Sequence, residues 1–168
     1  MKAPSLSCST TTAPLSVVGH EREADLSAAE VWFRRTGAEG LAPEDGQWLA
    51  CCREICTAAL TSWGLPALTD RVRLVVSELV TNALVHAGGT MGVRIVRRAG
   101  AVRVEVADAS RAQPRWDLTA GPEECNGRGM LVVRAYGDHC GVTAAGTSAS
   151  KTVWCDFDLP PVVTRERR

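Results

Sequence analysis

The sequence predicts a two-layer α/β sandwich, with helices packed on one face of a mixed, largely antiparallel sheet. Three observations lead there. Apolar residues recur at helical spacing over residues 47–63 and again over 71–87. The period then drops to two over 91–97 and 102–107, which flank Arg98-Ala99-Gly100-Ala101, a hairpin signature. After a long polar stretch, a third helical segment at 129–135 precedes two more strand-like runs, 138–143 and 151–157.

Each element has its own local reason. Residues 5–14 are rich in Ser and Thr and poor in bulky apolar side chains, so residues 1–14 read as a disordered leader. An N-terminal extension over 15–46 follows, with a short edge strand expected at 15–18, a helix at 25–35 and a Gly-, Pro- and acid-containing loop at 37–46. The first long helix carries Trp48, Leu49, Cys52, Ile55, Cys56, Ala59 and Leu60 on one side, and Gly64 and Pro66 stop it. Thr69 or Asp70 is the expected cap of the second helix, and Gly88-Gly89 closes it. Residues 110–126 contain Pro114, Gly121 and Pro122 and are too long for a simple turn. Connections of that length usually carry function.

Composition narrows the function classes. With 168 residues and 45% hydrophobic content, the chain can build a core without disulfides or a structural metal. Formal net charge is zero, which argues against direct nucleic-acid binding; the one basic cluster is the tail over 161–168. The seven cysteines form no CxxC, so zinc and dithiol spacings are missing, and free thiols suit a cytoplasmic protein. No secretory signal or membrane-crossing stretch is expected.

The second long helix holds a chemical puzzle. Val72, Val75, Val76, Leu79, Val80, Ala83 and Ala87 make an apolar stripe, and Glu78, Asn82 and His86 stack four apart along its edge. One explanation is structural: Glu78 pairs with Arg71 or Arg94, Asn82 satisfies a loop and His86 caps the helix end. The other is chemical. An amide and a carboxylate one turn apart suit a hydrated Mg2+, and a carboxylate partly withdrawn from water can polarise a hydroxyl. Asp108 ends the strand VEVADAS, and Gly127 and Gly129 immediately precede a helix, where backbone N–H groups can meet phosphate.

In order along the chain, SELVTNALVHA, VADAS with Pro114 four residues on, GRGM and SKTVW resemble the GHKL (Bergerat-fold) ATPase superfamily. More narrowly, they are similar to its bacterial anti-sigma-factor serine-kinase branch. The resemblance implies an ATP-binding domain over 47–160, with ATP and Mg2+ as cofactors. It implies that Asn82 coordinates the metal and that Glu78 is the catalytic base. It further implies that Asp108 accepts a hydrogen bond from the adenine amino group, reinforced by Thr152. Gly127, Arg128, Gly129 and Met130 would border the phosphates, and 110–126, with Arg111 and Arg115, would form a lid. The implied function is a serine/threonine protein kinase acting on a sigma factor or an anti-sigma antagonist, in the cytoplasm, with a homodimer plausible. The alternative is a kinase-inactive ATP-binding module that sequesters a protein partner. Ala109-Ser110 and Ser150 depart from the glycines common at those positions. A Ser-His-Asp hydrolase is disfavoured, because no GxSxG elbow occurs.

Overall fold

A computed structural model describes residues 25–35, 41, 45–87, 89–110, 112–114, 116, 128–144 and 151–160. The element order is β1 (Ser27–Arg35), α1 (Asp45–Ser62), a 3-10 turn (Pro66–Leu68), α2 (Thr69–His86), β2 (Gly89–Arg98), β3 (Ala101–Asp108), α3 (Gly129–Tyr136), β4 (His139–Ala144) and β5 (Lys151–Asp158). The strands form one sheet in the order β1-β2-β3-β5-β4, and every neighbouring pair is antiparallel. The helices cover one face, giving the two layers that the change of period predicts.

The core lies between them. Val31, Phe33, Met91, Val93, Ile95, Val102, Val104, Val106, Val153, Cys155 and Phe157 alternate inward from the strands. They meet Cys52, Cys56 and Leu60 of α1 and the stripe of α2, all buried. Phe33 stacks on Trp48 of α1, with ring centroids 4.6 Å apart. Among the described residues, no helix is long and apolar enough to cross a membrane.

Two expectations need correction. Residues 25–35 are not a helix: Ser27–Arg35 pairs along its whole length with β2. Ala and Glu favour a helix locally, but Val31-Trp32-Phe33 suits a pleated surface, and tertiary pairing decides. Trp32 stands opposite Gly92, and a Cβ on that glycine would lie 2.5 Å from the indole, so the ring needs the vacant side. Thr69 and Asp70 also do not cap α2. The 3-10 turn runs straight into the helix, Leu68 occupies the cap position without a side-chain bond, and the Thr69 N–H donates to the Pro66 carbonyl.

Other boundaries follow their sequence signals. Gly64, at φ +72°, ends α1 with the bonds of a Schellman motif, Leu65 N–H to Leu60 O at 2.8 Å and Gly64 N–H to Thr61 O at 3.1 Å. Arg98 and Ala101 flank a two-residue turn in which Gly100 takes φ +84°. The strand expected at 15–18, the leader and the basic tail lie outside the described residues.

The sheet's other face carries a network of paired charges. Arg94 bonds Asp25 at 2.9 Å and Glu105 at 3.2 Å, while Arg98 reaches Asp25 at 3.1 Å. Burial pushes the Asp25 carboxyl up, but bonds and charge from Arg94 and Arg98 outweigh it and hold the group below its ordinary range. Arg103 forks onto Asp156 and lies 3.9 Å over the Trp154 ring.

Candidate functional site

Helix α2 packs against both β3 and α3. That contact brings the polar edge of α2 to the start of α3. Glu78 and Asn82 are half-buried, one turn apart, beside the buried Leu79, Val80 and Ala83; His86 is exposed. The seam position predicted from periodicity holds for Glu78 and Asn82.

Glu78 meets Gly129, the first residue of α3. A Cβ built on Gly129 would fall 2.6 Å from Glu78 Oε2. The carboxylate therefore occupies space that only glycine leaves open. Neither arginine that the structural explanation of Glu78 names pairs with it, because both bond other groups. Arg71 donates to the Tyr136 carbonyl and to Asp138, and Arg94 pairs with Asp25, Glu30 and Glu105. Among the described residues, no cation pairs with Glu78.

The start of α3 supplies donors. Leu131 and Val132 N–H groups bond the Arg128 carbonyl at 3.0 and 3.2 Å. The N–H groups of Gly129 and Met130 meet no acceptor among the described residues, as the first turn of a helix requires. Arg128 is exposed at the cap position, whereas the Met130 side chain is buried in the core, leaving its backbone as the part that can face a ligand. Gly127 lies outside the described residues, as do Arg111 and Arg115.

A second cluster sits where β3 and β5 run side by side. Asp108 ends β3 at 1% exposure, directly opposite Lys151, the first residue of β5, at 4%. Lys151 Nζ donates to Asp108 Oδ1 at 2.8 Å and to the Ser110 carbonyl at 3.2 Å. The Ser110 N–H donates to the same Oδ1 at 2.7 Å, closing an Asx turn, and the Ser110 hydroxyl accepts from Ala112 N–H at 3.1 Å. These bonds explain Ala109-Ser110 in place of glycine: the turn is built by side chains. Pro114 is buried just beyond it. Among the described residues, Asp108 Oδ2 has no donor.

Thr152 does not join Asp108. It pairs with Ala107, one residue out of step, and strand alternation puts it on the opposite face of the sheet. Lys151 takes the place expected of it. The sequence carries the signal: Lys151 shares parity with Val153, Cys155 and Phe157, and a lysine at an inward position needs an anion.

The donor set suits a nucleotide-borne cation. Hydrated Mg2+ keeps most of its waters and takes one or two protein oxygens plus phosphates, which a Glu–Asn turn can supply. The cysteines do not compete for such a role. Burial pushes the Cys52 and Cys155 thiols up to about 12 and raises Cys56 as well, so all three stay protonated at neutral pH. Among the described residues, no group of three or more His, Cys, Asp or Glu side chains is placed to hold a metal.

The family model described as "Histidine kinase-like ATPase domain" matches residues 43–154, most of the chain. No curated protein matches it significantly.

Proposed function

Since the chain belongs to the histidine kinase-like ATPase domain family, the GHKL or Bergerat-fold ATPases, we propose that it is a Mg-ATP-binding regulatory protein that phosphorylates serine or threonine on a partner in a sigma-factor/anti-sigma system. The observation that carries the reading is the close approach of Glu78 to Gly129, which sets a carboxylate with no cation partner among the described residues against the donor-rich start of α3.

Each residue has a definite task. Asn82 supplies an amide oxygen to the metal, and the backbone N–H groups of Gly129 and Met130, with Gly127 and Arg128, border the phosphates. Asp108 Oδ2 accepts from the exocyclic amine of the base. Glu78 orients the incoming hydroxyl and takes its proton, a role helped by half-burial, which weakens solvation of its charge. Bound Mg-ATP supplies the phosphoryl group and the cation that neutralises it, so the protein's share is positioning and electrostatics.

Titration calorimetry with ATP in the presence and absence of Mg2+ tests this. The parent should bind with a clear Mg2+ requirement that Asn82→Ala loses. An unchanged Mg2+ requirement in that variant would refute the metal assignment. With labelled ATP and the partner, Glu78→Ala should bind nucleotide yet transfer no phosphate. A stable complex without phosphoprotein from the parent would instead identify a sequestering module.

A further inference from the structure

The Asp108–Lys151 pair has a use beyond holding two strands together. Both side chains are almost wholly removed from water, at 1% and 5% exposure, so the ammonium is the counter-charge that the buried carboxylate requires. The geometry is also one-sided. Lys151 Nζ and Ser110 N–H both take Oδ1, at 2.8 and 2.7 Å, and among the described residues leave Oδ2 as the remaining acceptor. Lys151 is tied in turn to the Ser110 carbonyl, so the carboxylate, the strand end and the start of the following loop form one unit.

We propose that Lys151 is a positioning residue that sets purine selectivity: by occupying one oxygen of Asp108 and keeping its charge, it presents the base with a single oxygen that can only accept. Such an oxygen rewards a purine with an amino group at position 6 and repels one with an oxo group there. This rests on the nucleotide-binding reading given above. Without the ammonium, a carboxylate buried at this depth relieves its uncompensated charge by taking up a proton. The resulting acid both donates and accepts, and an oxo group then becomes an acceptable partner.

The experiment compares affinities for ADP and IDP, measured by calorimetry on the full chain, for the parent, Lys151→Met and Lys151→Arg. The parent should prefer ADP by about tenfold or more, the scale set by leaving one buried polar group unsatisfied. In Lys151→Met the ratio should fall towards one, through gained IDP binding as well as lost ADP binding. Lys151→Arg, which restores the charge, should recover the preference. Circular dichroism and thermal unfolding check that each variant folds; if Lys151→Met does not, Lys151→Gln makes the same comparison with a neutral donor. A ratio that stays at the parent value in a folded neutral variant, with both affinities weakened equally, overturns the proposal and leaves Lys151 a structural residue. So does a parent that binds both nucleotides equally. A parent that binds neither refutes the nucleotide reading itself, an outcome distinct from the other two.

Discussion

The carboxylate of Glu78 stands 2.6 Å from where a Cβ on Gly129 would begin, although one residue lies in the middle of α2 and the other opens α3. Glycine at that point is the condition for the carboxylate to reach the helix start. Gly129→Ala should therefore fold normally, because the glutamate is flexible and can swing away. Phosphoryl transfer should fall by about a hundredfold, the usual effect of a displacement near 1 Å at a reacting group. Parallel measurement of melting temperature and turnover checks this; loss of both together would mean that the contact is structural.

Gly137 closes α3 and abuts a different buried atom. A Cβ there would collide with the Cys155 sulfur and approach the Val133 carbonyl at 3.0 Å. Cys155 is fully buried and cannot move aside. Gly137→Ala should cost about 1–3 kcal/mol of stability, as overpacking does. Adding Cys155→Ala should recover part of that loss, and urea unfolding of the two single variants and the double variant measures the coupling.

Acid should weaken the polar face of the sheet. The Asp25 carboxyl is held below its unfolded value by Arg94 and Arg98, against the opposing effect of burial. A depressed carboxyl contributes stability that is complete above its unfolded pKa and disappears as pH falls through the folded one. Asp138, pushed up by burial but brought down further by its bonds with Asp158 N–H and Arg71, acts with the same sign. Asp25→Asn should be destabilised at pH 7 by about 1.5–3 kcal/mol, the scale of charge-assisted hydrogen bonds. The gap from the parent should narrow below about pH 4, as chemical denaturation across that range would show.

Thiol reactivity should sort by burial. Cys52, Cys56 and Cys155 are buried and their thiols are raised, so the native protein should not be alkylated there by iodoacetamide at pH 8. Cys51 is half-buried and should react first among the α1 thiols. Peptide mapping by mass spectrometry before and after denaturation reads the difference.

What was legible in the sequence was what repeats locally. The stripe of α2 is continuous from Val72 to Ala87, so one helix and its polar edge follow from spacing alone. The turn at Ala99-Gly100 fixes the β2–β3 register for a similar reason. Distant contacts were not legible. Whether Glu78 meets an arginine or a glycine depends on where α3 packs, and no local signal carries that. β1 reads as a helix in the sequence because its Ala and Glu residues favour one until β2 offers a partner. The resemblance implies Thr152 beside Asp108, whereas strand parity puts Lys151 there.

The strand order has a consequence for synthesis. β5 lies between β3 and β4, so the edge of β3 beyond the hairpin stays open until the segment from Lys151 onward has left the ribosome. Asp108 then has no cation opposite it in the nascent chain. The Asp108–Lys151 corner is thus assembled after the rest of the sheet is on hand, and an incomplete polypeptide presents a bare β edge, the surface that chaperones meet and aggregates exploit.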